Sequence, residues 1–244
     1  FTPMRCFAYV FIFFVLFLSK YQLVYAQKST VFFSEDTHWA DSILSELSDE
    51  EKIAQLLMVA AYSNKDDNHK TYVSELIKKY KIGGLMFLQG GPVRQAKLTN
   101  YYQSISKTPL MIAIDAEWGV AMRLDSCLRF PWQMTLGATS DKSLIYEMGV
   151  NIAKQCRALG VHINFSPVID VNSNPNNPII NNRSFGEDPY NVAKLGLEYM
   201  RGLQDNNILA CAKHFPGHGD TDTDSHKTCL LYTTPSPRDR QKSR

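Results

Sequence analysis

The chain has 244 residues, 44% of them hydrophobic and 20% charged, with a formal net charge of +2. That is enough for one barrel-sized domain or two small ones, and it excludes fibrous and disordered classes. The positive charge sits at the ends. Residues 1–26 hold Arg5 and Lys20 and no acid, and residues 231–244 hold four bases against Asp239. Removing both leaves a body of roughly −3, which excludes the basic footprint of a nucleic-acid binder. The five cysteines, Cys6, Cys127, Cys156, Cys211 and Cys229, show no CxxC spacing and do not read as a disulfide framework.

In chain order, Met4 reads as the start, Arg5 as a positive flank, and Phe7 to Leu18 as a nearly continuous apolar run. Val24-Tyr25-Ala26 before Gln27 offers a cleavage point, so residues 1–26 are expected to be a secretory signal. The run is short for a membrane span. No second long apolar run follows, so no stable span is expected after cleavage, and the protein is expected to be secreted or periplasmic. Ser48 and Glu51 form a capping box. Gln55 to Ala60 is expected to be a first buried strand. Tyr72, Val73, Leu76, Ile77 and Tyr80 recur at helical spacing, and Gly83-Gly84 should stop that helix. Leu85 to Leu88 reads as a second strand, Val93 to Ile105 as a helix, and Leu110 to Asp115 as a third strand ending in a carboxylate. A helix over residues 144–159 closes at Gly160, and Val161 to Phe165 forms a fourth strand. Asp188-Pro189 opens another helix, with aspartate as N-cap and proline in the first turn. Ile208 to Ala212 forms a fifth strand, ending at Lys213-His214.

Repeated strand–helix units with short apolar strands predict an α/β fold with a parallel sheet covered by helices. Gln89, Asp115, Glu117, Asp170, Lys213 and His214 all fall just after strands. In a (β/α)8 barrel those ends form the active face. A doubly wound sheet would also gather them at one edge, but the chain has no GxGxxG or phosphate loop. The TIM-like barrel is favoured, incomplete, with about five βα units.

The densest constellation is KHFPGHGDTDTDSH, Lys213 to His226. Pro216, Gly217 and Gly219 make it a loop. Within it, Asp224 and His226 pair a carboxylate with an imidazole, an arrangement that serves general acid/base chemistry or simply solvates a polar loop. His214, His218, Asp220, Asp222, Asp224 and His226 are also metal-ligating types, without the pattern of an EF-hand.

This loop resembles the signature of glycoside hydrolase family 3, in its β-N-acetylglucosaminidase branch. IDAEWGVAMRL (114–124) is similar to the family's substrate-binding aspartate segment, and NFSPVIDVNSNPNNPIINNRSFGEDP (164–189) to its fourth-strand segment and following loop. The resemblance spans Ser48 to Thr228. It implies a (β/α)8-like barrel, a retaining mechanism and no metal or organic cofactor. Asp115, Arg183, Lys213 and His214 would hold the hydroxyls of a terminal N-acetylglucosamine, and His226 with Asp224 would be the general acid/base. The expected partner is a carbohydrate, an N-acetylglucosamine-containing glycan or muropeptide. Three residues carry competing readings: Arg183 could pair with Glu187 or Asp188 within its own loop, Asp115 could be a hydrogen-bond acceptor at the barrel mouth, and Trp118 could pack or stack on a sugar.

The family's nucleophile is an aspartate on a later strand, and no residue after His226 matches it. Residues 229–244 read as a non-native tail, so the domain is expected over residues 27–228 and the chain as written is expected to be inactive. A histidine acid also leaves phosphate open as an acceptor in place of water. The rival readings are a metal-dependent hydrolase built on the same loop and an N-acetylglucosamine-binding module without turnover.

Overall fold

The computed structural model describes residues 36–227. The signal segment and the tail read from the sequence lie outside them. Two short helices come first, α1 (His38–Glu46) and α2 (Asp49–Gln55). The capping box that opens α2 is complete: Ser48 Oγ accepts from the Glu51 N–H at 3.3 Å, and Glu51 Oε2 accepts from the Ser48 N–H at 3.1 Å. This cap moves the first strand. Helix geometry propagates through Gln55, so β1 is Met58–Tyr62 rather than 55–60. Leu56 and Leu57 become an exposed connector, with Leu56 at 85% exposure.

The helix after β1 is α3 (Asp67–Glu75), N-capped by Asp66 and continued by a π turn at Leu76–Tyr80. Val73 and Ile77 are buried while Tyr72 and Tyr80 are exposed. It ends at Lys81, whose φ of 54° is left-handed, and not at the glycine pair; Gly84 instead begins β2 (Gly84–Gln89). Then follow α4 (Pro92–Ile105), β3 (Met111–Ile114), α5 (Gln133–Gly137), α6 (Ser143–Ala158), β4 (Ile163–Asn164), α7 (Pro189–Gln204) and β5 (Leu209–Ala210). The expected closure of α6 at Gly160 holds, with φ +70° there. Asp188 caps α7 by accepting from the Tyr190 N–H at 3.0 Å.

All four strand pairings are parallel, and the sheet order is β1-β2-β3-β4-β5. Each strand therefore lies beside its successor with helical crossovers between them. A doubly wound sheet reverses its strand order partway; this one does not, so it is a five-strand sector of a barrel. Ile112, Ile114, Leu85 and Phe87 are fully buried within it, each worth about 1.5–3 kcal/mol relative to exposure. Cys127, Cys156 and Cys211 are free thiols, and burial pushes the Cys156 thiol up to about 12. Among the described residues no helix is long and apolar enough to cross a membrane.

In the outer layer α6 and α7 approach closely. A Cβ on Gly202 would lie 2.4 Å from the Tyr146 carbonyl oxygen, and one on Gly149 would lie 2.7 Å from the Tyr199 carbonyl oxygen. Backbone meets backbone there, and no rotamer can relieve an added methyl. Gly202→Ala is expected to destabilise the fold by about 1–3 kcal/mol through overpacking. Urea unfolding checks this, and an unchanged midpoint would mean that the helices can separate freely.

Candidate active site

The chain leaves β3 as Asp115-Ala116-Glu117. The peptide groups of Ala116 are clamped by two buried side chains. Its N–H donates to Asn164 Oδ1 at 2.9 Å, and its carbonyl accepts from Asn164 Nδ2 at 3.3 Å. The Tyr199 hydroxyl lies 3.0 Å from the Ala116 carbonyl and 3.2 Å from that of Glu117, and accepts from Ser166 Oγ at 3.1 Å. Burial pushes the Tyr199 phenol up, so it stays protonated as a donor. β4 and α7 thus set where the two flanking carboxylates sit.

Three cations converge on those carboxylates. Lys213, just past β5, places Nζ 2.9 Å from Asp115 Oδ1 and 2.8 Å from Glu117 Oε1. Arg183, at the end of a 3-10 turn in the loop after β4, grips Glu117 as a fork: Nε is 2.9 Å from Oε2 and Nη2 is 2.8 Å from Oε1. Arg123 Nη2 is 2.5 Å from Asp115 Oδ2. Glu117 is only 1% exposed. Burial alone would raise its pKa, but the Arg183 hydrogen bond and the Lys213 and Arg183 charges outweigh it and hold the carboxyl below its usual value. For Arg183, burial works against the charge, but the bond to Glu117 together with the charges of Glu117, Asp170 and Asp115 outweighs it and raises the pKa. The partner of Arg183 is therefore Glu117, sixty-six residues away in sequence, and not Glu187 or Asp188.

His214 joins the same network. Its Nδ1 is 2.6 Å from Asp170 Oδ2 and its Nε2 is 3.3 Å from Arg183 Nη2. Because guanidinium only donates, Nε2 accepts and the proton is assigned to Nδ1, facing Asp170. Asp170 is buried, and its Oδ1 accepts from the His218 N–H at 2.7 Å. Further along the loop, His226 Nδ1 is 2.9 Å from Asp224 Oδ1, which also accepts from the His226 N–H at 2.9 Å. Those two bonds from His226 lead the effects that hold the Asp224 carboxyl below its usual value. The His226 side chain is 84% exposed, and its Nε2 has no hydrogen-bond partner among the described residues.

Asp115, Arg183, Lys213 and His214 are thus brought into one continuous network, with Asp224 and His226 paired on the loop beyond it. The network keeps capacity for a polyhydroxylated ligand. Two of the three Lys213 Nζ protons are taken, one Arg183 Nη1 proton remains after the bond to the Ile179 carbonyl, and each Asp115 oxygen retains a lone pair. Of the six residues of metal-ligating type, His214 pairs with Asp170, His218 with Thr221 and Ser225, and Asp224 with His226, and among the described residues no three His, Cys, Asp or Glu side chains are grouped so as to hold a metal ion. Trp118 packs against Trp132, ring centroids 4.1 Å apart, with the Arg129 guanidinium 5.8 Å from its ring centroid.

Glu117 and Asp170 are visible in the sequence only as acids after strands. Their roles as ion-pair hub and histidine orienter, and those of Arg123, Asn164, His218 and Tyr199, have no local signal. The two-residue spacing of Asp115 and Glu117 past a strand was the available hint. Glu117→Gln leaves two cations short of a buried counter-charge and is expected to cost about 3 kcal/mol of stability at pH 7. Because the native Glu117 pKa is depressed, its contribution is full above the ordinary glutamate value of about 4.3 and is lost as pH falls through the native value. The acid limb of the stability curve should therefore be shallower in the variant. Urea unfolding from pH 7 to pH 3 reads both effects, and equal curves would remove Glu117 as the hub.

The family described as glycosyl hydrolase family 3 N terminal domain matches residues 48–243. Beta-hexosaminidase A of Pseudoalteromonas piscicida is 44% identical over 167 residues, covering 63% of this chain and 28% of that protein. Among solved structures, a glycoside hydrolase family 3 beta-N-acetylglucosaminidase from Paenibacillus sp. str. FPU-7 is 38% identical with a TM-score of 0.66, over 74% of this chain and 35% of that one. Beta-glucoside phosphorylase BglX bound to 2FGlc is 31% identical with a TM-score of 0.72, over 77% and 34%. The chain spans between 28% and 35% of the length of these proteins. A parallel barrel sector with this charge network at its strand ends, matched over most of its length, belongs to glycosyl hydrolase family 3.

Proposed function

We propose that the full-length protein is a retaining glycosidase that removes terminal β-linked N-acetylglucosamine from glycans or peptidoglycan fragments. The observation that carries this reading is the Asp224–His226 pair, Nδ1 to Oδ1 at 2.9 Å, on an exposed histidine whose opposite ring nitrogen has no hydrogen-bond partner among the described residues. The likeness to a beta-hexosaminidase and to a beta-N-acetylglucosaminidase supports the choice of sugar. Asp115, Lys213, Arg183 and His214 would bind the sugar hydroxyls through the donors and lone pairs left open in their network.

In the first step His226, as imidazolium, gives its Nε2 proton to the glycosidic oxygen as the C1–O bond breaks. A carboxylate nucleophile, assigned to no residue of this chain, forms the new bond to C1. In the second step neutral His226 takes a proton from water, the water oxygen bonds to C1, and the carboxylate leaves. Two inversions give retention. Asp224 stabilises the imidazolium and holds its tautomer. These steps use side chains alone and call for no metal or organic cofactor.

A second reading replaces water with inorganic phosphate in the second step. The likeness to a beta-glucoside phosphorylase favours it, as does a neutral imidazole base, which does not repel an anion as a carboxylate would. The composition of residues 1–26 supports action outside the cytoplasm, secreted or periplasmic.

With a sugar or alkyl leaving group, His226→Ala in the full-length protein is expected to lower kcat/KM by about 10²–10⁴-fold. Proton NMR should detect the β-anomer of N-acetylglucosamine first. Added phosphate diverting the product to the sugar 1-phosphate would select the second reading. Unchanged turnover in the variant would remove His226 from its role.

A further inference from the structure

We infer that His218, although it touches no reacting atom, is the positioning residue that sets the general acid on the site. The inference rests on the acid/base reading of Asp224 and His226 above. The loop that carries them has no regular structure, and Phe215 near its start is almost fully exposed. A chain of that kind does not hold a proton donor in one place unless something staples it.

His218 is that staple. It is buried in an otherwise largely exposed segment, and both ring nitrogens are engaged within the loop. Nδ1 is 2.6 Å from Thr221 Oγ1 and Nε2 is 3.2 Å from Ser225 Oγ. A neutral imidazole has one donor and one acceptor, and two hydroxyls satisfy both in either tautomer, so the ring is buried without an orphaned group. Ser225 lies between Asp224 and His226 in the sequence. The far end of the ring thus holds the peptide segment that joins the two members of the pair.

The other end of His218 is anchored to the sugar-binding frame. Its N–H donates to Asp170 Oδ1 at 2.7 Å, while Asp170 Oδ2 holds the His214 ring. Its carbonyl accepts from Asn177 Nδ2 at 2.6 Å. Asn177 Oδ1 in turn accepts from the Ile179 and Ile180 N–H groups, at the turn that leads into Arg183. Gly219 is wedged against the same loop: a Cβ there would lie 1.7 Å from the Val171 carbonyl oxygen. The imidazole therefore relays the position of Asp170, His214 and Arg183 to Ser225 and so to His226.

The test uses leaving-group dependence, because a misplaced acid harms poor leaving groups and spares good ones. In the full-length protein, kcat/KM, which reports the bond-breaking step, is measured for β-N-acetylglucosaminides from acidic phenols to simple alcohols. His218→Phe keeps the ring volume and loses both bonds. Ser225→Ala removes only the far bond, at an exposed residue. In His218→Phe we expect a loss of about 10²-fold on alkyl substrates and less than about threefold on the most acidic phenol. Ser225→Ala should give the same steepening in milder form. An equal loss across the series, or none, in both variants overturns the inference; if His218→Phe does not fold, Ser225→Ala decides alone. His226→Ala is the reference. If it fails to steepen the series, the acid/base reading itself falls. If it steepens the series and the other two do not, only the positioning role of His218 falls.

Discussion

The structure turns on two carboxylates, Asp115 and Glu117, set two residues apart at the mouth of β3 and out of bulk water. Burying charge costs several kcal/mol per ion, and attraction offsets that cost only when partners meet in good geometry. Here Lys213 bridges both acids, Arg183 forks onto Glu117, and Arg123 meets Asp115. These cations come from after β5, from the β4 loop and from just past β3. The network can close only if β3, β4 and β5 lie side by side in that order, and they do. Such a network is weak evidence for stability but strong evidence for a required geometry, since a misplaced partner would leave a buried charge uncompensated.

Around this hub, packing does the positioning. Asn164 from β4 and Tyr199 from α7 hold the Ala116 peptide between the two acids. The close approach of α6 and α7, through Gly149 and Gly202, sets where Tyr199 can reach. A glycine contact in the outer layer is therefore coupled to the carboxylates at the mouth through Tyr199 and the Ala116 peptide. The rigid part of the site lies on strand ends and buried side chains. The Asp224–His226 pair lies on a loop that is held by side-chain tethers.

Asp170 joins those parts. One of its oxygens orients the His214 ring and the other accepts from the His218 N–H. On the proposed reading, the residues that bind the sugar and the residue that moves the proton need to be registered to within a fraction of an ångström. Sharing one buried carboxylate between the two segments achieves this with a short chain of bonds.

Much of this was determined by the sequence alone, wherever the signal is local. The capping box at Ser48, the aspartate cap at Asp188 and the glycine stop at Gly160 involve residues within a few positions of one another, and each occurs as read. The three family segments likewise carried Asp115, Arg183, Lys213, His214, Asp224 and His226, and the fold joins the first four in one network and pairs the last two on the loop. The first strand begins later than the apolar Leu56 and Leu57 suggest, because the capped helix α2 runs through Gln55 and leaves both leucines in an exposed connector. Only the tertiary structure decided strand order, and with it the barrel over the doubly wound sheet, since both share the same alternation of strands and helices. Only it could pair Arg183 with Glu117 across sixty-six residues, or give Asp170, Asn164, Tyr199 and His218 their roles. The physical reason is that hydrogen bonds and ion pairs act over about 3 Å in space. Separation along the chain leaves no trace of them until the sheet has formed.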